Sequence, residues 1–329
     1  SDPQQRPTFD EIVVLLESKE EFRTSLSCPF EKFQKYDEYI KSRLNFRAYL
    51  STVLSHFQGQ TPNYTPYMTG GSKHKEFSAE GQKLNVNHYK LGEKIGEGSF
   101  GLIYKIMRKD TEEQFVCKIS KTEIDLKPGE ENAINLQREI RTWSNSQHPA
   151  ITQFYGYCPT DFKYLRFPIL IMEYLQNGSL ADMIALERRS MANPEWTSTK
   201  KLINIYGIAS ALNYLHSNSI LHRDIKAENI LVNDEFTPKL SDFGLSITLD
   251  EIAKATKTSV RGTPSHMAPE IWASSTYTEK SDVYAYGFTV YEIITNEIPF
   301  KNYKGIYQVL HDVVDLKKRP EFPESIPQC

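Results

Sequence analysis

Cysteine is scarce. Four occur in 329 residues, Cys28, Cys117, Cys158 and Cys329. No two form a CxxC pair, which excludes a zinc ribbon and gives no support to a disulfide scaffold. Isolated thiols of this kind suit a reducing compartment, so a cytoplasmic, intracellular location is expected. No apolar run approaches the ~18 residues that would indicate a membrane span. Neither sign of charge dominates: 39 Lys and Arg stand against 42 Asp and Glu, for a net charge of −3. An electrostatic footprint for nucleic acid or an anionic surface is therefore missing. No repeat of ~20–50 residues recurs. The opening residues, Ser1-Asp2-Pro3-Gln4-Gln5-Arg6-Pro7, carry neither an initiator Met nor a signal-peptide core, and we expect an internal start within a longer protein.

What is present is a globular composition, 39% hydrophobic and 25% charged, with enough chain for a self-supporting core. Three zones differ in texture. In residues 1–27 a Pro-bearing turn leads into an apolar helix, with Thr8 as N-cap and Glu11 three positions on. Residues 28–57 place Phe33, Tyr36, Ile40, Leu44, Leu50, Leu54 and Phe57 at helical spacing. Residues 58–87 collect Gly, Pro, Ser, Thr and Asn and read as a linker. From residue 88 onward the signals are dense. Three strand-like runs cover residues 89–92, 101–107 and 114–119, with turns at 96–99 and 109–113. A helix follows with Leu136, Ile140 and Trp143 on one face. Beyond residue 200 the pattern is mainly helical, and the stretch 282–294 is apolar nearly all round, as for a buried central helix.

Gly96-Glu97-Gly98-Ser99-Phe100-Gly101 fits GxGxxG, a weak signal alone because dinucleotide folds share the spacing. There the third Gly opens a helix. Here Gly101 leads into Leu102-Ile103-Tyr104-Lys105-Ile106, so the loop joins two strands. A hairpin tip with three glycines lets backbone N–H groups lie over phosphates. Phe115-Val116-Cys117-Lys118 occupies the next strand. A Lys among apolar neighbours needs an anionic partner, and Glu139 on the following helix would supply it, holding the amine against the α and β phosphates. Farther on come His222-Arg223-Asp224-Ile225-Lys226-Ala227-Glu228-Asn229, then Asp242-Phe243-Gly244, then Ala268-Pro269-Glu270. Each is unremarkable singly. In one order at compatible distances they are not.

From about residue 88 to 329 the sequence resembles the eukaryotic protein kinase family. The resemblance implies an α+β, two-lobed fold: a small antiparallel β-sheet lobe with one helix (88–172), then the hinge and a larger, mainly helical lobe (173–329), truncated at its C-terminus. It implies ATP and Mg²⁺ as cofactors and transfer of the γ-phosphoryl group to a protein substrate. Asp224 would accept the proton of the substrate hydroxyl. Lys226 would neutralise the γ-phosphate, with Lys118 and Glu139 completing the catalytic set. Asn229 and Asp242 would hold Mg²⁺. Ile95, Ile103, Val116 and Leu231 would sandwich the adenine, and Gly96, Glu97, Gly98, Ser99, Phe100 and Gly101 would cover the phosphates. Met172 would close the back of the pocket, and the hinge from Glu173 to Leu175 would meet the adenine edge. Lys226 and the Gly262-Thr263-Pro264 run resemble serine/threonine kinases. The hinge stretch resembles the tyrosine-kinase-like branch. Thr256, Thr258 or Ser259 would be phosphorylated, by an upstream activating kinase, with Arg223 receiving the phosphate. A pseudokinase scaffold or inactive fragment is the alternative, although no catalytic group is missing. Departures are mild: Val116 for the usual Ala, His266 for an aromatic residue, and Tyr284 for the usual Trp.

The ends depart more. Kinases of this branch close on a D-P-x-x-R-P-[ST]-F turn and a helix. Here Asp2-Pro3-Gln4-Gln5-Arg6-Pro7-Thr8-Phe9 is that turn at the opposite end. The expectation is a tandem-kinase parent, with residues 1–27 the tail of an upstream kinase-like domain and 28–87 a helical segment and flexible linker. In the family the Glu of A-P-E pairs with the Arg of that turn. Glu270 would therefore be met by Arg6 if residues 1–17 fold back onto the large lobe, with Ile12, Leu15 or Leu16 covering apolar surface. At ~3.3–3.6 Å per extended residue the intervening segment has ample reach.

Overall fold

The computed structural model describes residues 2–17, 82–98, 101–127, 129–254, 260–303 and 305–321. The helix expected over 28–57, most of the linker, and Ser99, Phe100, Thr256, Thr258 and Ser259 lie outside the described residues.

Asp2 caps a single 3-10 turn at Pro3–Gln5 by accepting the backbone N–H of Gln4. Helix α1 (Phe9–Glu17) follows. The N–H of Thr8 donates to Glu11 Oε2 at 2.6 Å, and the N–H of Glu11 returns a bond to Thr8 Oγ1 at 3.2 Å. This is the reciprocal cap that the sequence predicts.

Strands β1 (Tyr89–Glu97), β2 (Gly101–Arg108) and β3 (Gln114–Ser120) come next, then helix α2 (Glu131–Ser144) and strands β4 (Phe154–Cys158) and β5 (Ile169–Glu173). They form one antiparallel sheet in the order β1-β2-β3-β5-β4. β1 runs into the expected turn because the Gly98 N–H bonds the Gly101 carbonyl at 2.9 Å and closes the hairpin. Helix α2 turns Ala133, Leu136, Ile140 and Trp143 inward.

The large lobe holds α3 (Leu180–Arg188), α4 (Ser198–Ser217), the short strands β6 (Ile220–Leu221), β7 (Ile230–Val232), β8 (Pro238–Leu240) and β9 (Ile247–Thr248), and helices α5 (Leu249–Lys254), α6 (Pro269–Ser274), α7 (Glu279–Thr295) and α8 (Ile306–Leu310). β6 pairs with β9 and β7 with β8. Helix α4 is buried from Leu202 to Leu215 on most faces, and α7 likewise from Ser281 to Ile293. Helix α5, in the middle of the segment after Asp242, has no counterpart in the sequence expectation.

Helix α1 lies against α4. Arg6 donates to both oxygens of Glu270, at 2.6 and 2.9 Å, and to the Lys280 carbonyl at 2.8 Å. Lys280 Nζ in turn donates to the Arg6 carbonyl. The Arg6 guanidinium also lies 5.0 Å from the Tyr284 ring centre, and Arg319 lies 5.2 Å from the same ring. Phe9, Val13 and Leu16 are buried, at the four- and three-residue spacing of one helix face. The Phe9 ring meets His216 and Tyr286 edge-on at 5.1 and 5.3 Å. The fold-back expectation holds for its ion pair and, among its apolar residues, for Leu16. Leu15 is 50% exposed and lies off the buried stripe. Leu16 is buried as expected, Ile12 is only partly so, and Phe9 and Val13 do the rest.

Candidate active site

The cleft is lined by β1–β3 above and by the β6–β9 region below. β3 places Val116 opposite Met172 of β5, and both are buried. Ile103 and Leu231 are half-buried, as is Leu175, while Ile95 is 45% exposed at the rim. Glu173 turns its carboxylate away from the cleft. It accepts the Gln153 N–H at 2.7 Å and pairs with Lys239 at 3.0 Å. Glu97 likewise bridges Lys94 and Lys121, each at 2.6 Å, on the outside of the hairpin. Hydrogen bonds from Lys121 and Lys94 pull Glu97 down to about 2. Gly101 admits no side chain: a Cβ there would lie 2.7 Å from Lys118 Cγ and 2.9 Å from the Ile119 carbonyl oxygen. Gly96 and Gly98 belong to the same hairpin. Ser99 and Phe100 lie outside the described residues.

Lys118 is buried and donates to Glu139 Oε1 at 3.0 Å and Asp242 Oδ1 at 2.7 Å. Burial alone would depress the ammonium, but the Asp242 and Glu139 charges outweigh it and hold Lys118 above its ordinary value. Burial also pushes Glu139 up, with Asp242 adding to the rise and Lys118 opposing it. Asp242 ends below its ordinary value, since Lys118 overcomes the burial that would raise it. Asp242 adopts a left-handed backbone, φ 60° and ψ 77°. Phe243 stays buried beside Trp143 at 5.5 Å and His222 at 5.4 Å, and Trp143 stacks on Phe154 at 5.3 Å. This aromatic row ties α2 to the residues around Asp242. Trp143 was visible in the sequence only as a face residue of its helix.

Below the cleft, Asp224 Oδ1 accepts the Thr263 hydroxyl at 2.7 Å, and its Oδ2 accepts Asn229 Nδ2 at 2.8 Å and lies 3.1 Å from Lys226 Nζ. Lys226 donates to Thr263 Oγ1 at 2.7 Å. Asn229 also donates to the Asp224 carbonyl at 2.8 Å. Its amide nitrogen is thus spent on Asp224, which leaves Oδ1 as the atom a hard cation would take. Gly262, at φ +121°, lies where a Cβ would come 2.8 Å from the Arg223 carbonyl oxygen, so the loop carrying Thr263 can approach only as glycine.

Sequence reasoning missed Asp282. This residue of α7 is 2% exposed and accepts the backbone N–H groups of His222 and Arg223, each at 2.9 Å, and His216 Nε2 at 2.9 Å. It thereby fixes Arg223 at φ 68°, a costly conformation for a non-glycine residue. Burial would raise Asp282, but the hydrogen bond and charge of His216, with His222, bring it below its ordinary value. The signal available in sequence was an acidic residue in the first turn of an apolar helix. Arg223 donates from Nε to the Leu245 carbonyl at 2.6 Å and stacks on Tyr277 at 4.9 Å.

The comparisons agree with this architecture. Residues 89–328 match the protein kinase domain. An Aurora kinase of Eremothecium gossypii is 34% identical over 247 residues, covering 72% of this chain and 64% of that protein. A probable serine/threonine-protein kinase of Dictyostelium discoideum is 34% identical over 244 residues, covering 74% of this chain and 46% of that protein. A putative serine/threonine-protein kinase of Helianthus annuus is 33% identical over 220 residues, 66% of this chain and 87% of that protein. The fold and the assembled cleft define a protein kinase domain, and the chain belongs to the protein kinase family. The match spans less than two thirds of the length of the first two of these relatives. Among the described residues no helix is long and apolar enough to cross a membrane.

Proposed function

We propose that this chain is an ATP- and Mg²⁺-dependent protein serine/threonine kinase that transfers the γ-phosphoryl group to Ser or Thr hydroxyls. The supporting observation is that two charge clusters face one cleft, Lys118 with Glu139 and Asp242, and Asp224 with Lys226, Asn229 and Thr263. Phosphoryl transfer asks mainly for positioning and charge neutralisation. Asp224 accepts the substrate proton and aims the hydroxyl, and Lys226 offsets charge on the transferred group. Lys118, kept cationic by its two carboxylates, holds the α and β phosphates. The apolar walls Ile95, Ile103, Val116 and Leu231 bracket the adenine, with Met172 behind it and the backbone of Glu173 to Leu175 at its edge. The backbone of Gly96 to Gly101 covers the phosphates. Asp242 and Asn229 offer hard oxygen donors suited to Mg²⁺, which when bound neutralises the β and γ phosphates. Asp242 is 33% exposed toward the cleft despite its bond to Lys118.

Lys226 and Thr263 beside the base favour Ser and Thr over Tyr, and membership of the tyrosine-kinase-like branch fits the hinge sequence. Substrates are proteins, and location is cytoplasmic. Activation comes through phosphate on Thr256, Thr258 or Ser259. Arg223, with Arg261 close enough to influence it, would receive that phosphate. Residues 2–17 are the closing turn and helix of a kinase unit, and a tandem arrangement in the parent protein accounts for their position. The test is γ-phosphate transfer from labelled ATP to a Ser/Thr peptide library and to a Tyr library. Transfer to neither, with ATP–Mg²⁺ still bound, would favour a scaffold instead.

A further inference from the structure

Glu251 lies on α5 and spends its whole carboxylate. Oε2 accepts the Thr248 N–H at 3.1 Å and the Thr248 hydroxyl at 3.0 Å, and the Glu251 N–H returns a bond to Thr248 Oγ1 at 3.3 Å. That reciprocal cap needs only one oxygen. The other, Oε1, accepts Arg138 Nε at 3.1 Å and Arg141 Nη2 at 2.6 Å. Both arginines belong to α2, on either side of Glu139. Arg138 is braced from the far side by Asn135 Oδ1 at 2.7 Å.

Thr248 is the last residue of β9, paired with Ile220 of β6. β6 runs directly into His222-Arg223-Asp224. Two connections therefore converge on Glu251, one from the helix that carries Glu139 and one from the strand that carries the proposed base. A second contact between this region and α2, Arg261 to Glu131 at 3.5 Å, has an 81% exposed carboxylate and adds little. The Glu251 carboxylate is about three-quarters shielded and takes two guanidinium groups at once, a network rather than an isolated surface pair.

We propose that Glu251 is a positioning residue: it clamps α2 to the floor of the cleft, so that Glu139 stays on Lys118 without a phosphate on residues 255–259. This rests on the kinase reading above. The effect on turnover passes through Arg138 and Arg141, since Glu251 touches neither Lys118 nor Asp224 among the contacts described.

Glu251→Gln is the decisive variant, because Gln retains the cap to Thr248 while removing the charge that faces the arginines. It should speed amide exchange along α2 about fivefold and lower kcat/KM about tenfold, while the exchange of α4 stays unchanged. The losses from Glu251→Gln and from Arg138→Gln with Arg141→Gln should not add. The triple variant should match the worse of its parents to within about twofold. Unchanged α2 exchange in Glu251→Gln, or fully additive losses, would overturn the clamp. If even the unaltered chain transfers no phosphate, the kinase reading fails, and the α2 exchange cycle still decides the clamp.

Discussion

Two buried ion clusters serve this molecule differently. Around Arg6 one cation satisfies one carboxylate through two parallel bonds, adds a carbonyl, and lies on the Tyr284 ring. Around Lys118 one cation is shared by two carboxylates that raise the cost of each other's charge. The first matches one guanidinium to one carboxylate through both oxygens, as a structural joint should. The second holds an imbalance of charge at a cleft, which further cations can relieve. One carboxylate per cation marks the scaffold, and an excess of carboxylate marks the place where chemistry is proposed.

The largest expected effect tests the chemical end. Asp224→Asn should lower phosphoryl transfer by about 10²–10⁴-fold while ATP binding, read by a fluorescent analogue, stays nearly intact. Unaltered transfer would remove Asp224 from its role. The structural end should respond in stability instead. Arg6→Ala leaves Glu270 shielded and unpaired and should cost about 3–5 kcal/mol in denaturant unfolding. Phe9→Ala should cost a similar ~3–5 kcal/mol through the cavity beside His216 and Tyr286. A loss under ~0.5 kcal/mol for both would mean that α1 contributes nothing to the lobe in solution. Arg6→Lys keeps the charge but loses the fork, so ~1–2 kcal/mol is expected. The smallest effect concerns pH. Asp282 is depressed in the folded chain, so its contribution is full above the unfolded aspartate value of ~3.9 and is lost as pH falls through the folded value. Asp282→Asn should flatten the acid limb of a melting-temperature profile. An unchanged limb would count against the proposed anchoring of the His222–Arg223 backbone.

Much of this was readable from sequence because kinase chemistry writes itself in short local strings. Lys118, Asp224, Asn229 and Asp242 each sit in a motif, and their elements follow from the turn-bounded strand-like runs of β1–β3 and from helical spacing in α2 and α4. The capping pair Thr8 and Glu11 was legible for the same reason, since both partners lie within one turn. Asp282 was not, because its partners His216, His222 and Arg223 lie about sixty residues upstream and only tertiary packing brings them together. Helix α5 was hidden as well. It is six residues long, too short for periodicity to speak, and its Glu251 is held by arginines more than a hundred residues away. Arg6 was legible only through family resemblance, since composition alone gives no reason for an arginine near the N-terminus to meet Glu270.

The joint between Arg6 and Glu270 also has a bearing on time. It closes a separation of 264 residues, the kind of contact whose loop entropy must be met before it returns anything. The lobe around α4 and α7 can therefore condense first, and α1 docks onto a surface already formed. In folding kinetics, Phe9 and Arg6 substitutions should then leave the refolding rate nearly unchanged and quicken unfolding, giving φ-values near zero. A φ-value of about 0.5 or more at Phe9, measured by stopped-flow, would place docking before the barrier and overturn that order of events. The strap would act as a latch on the lifetime of the large lobe, setting how long it stays folded rather than how quickly it forms.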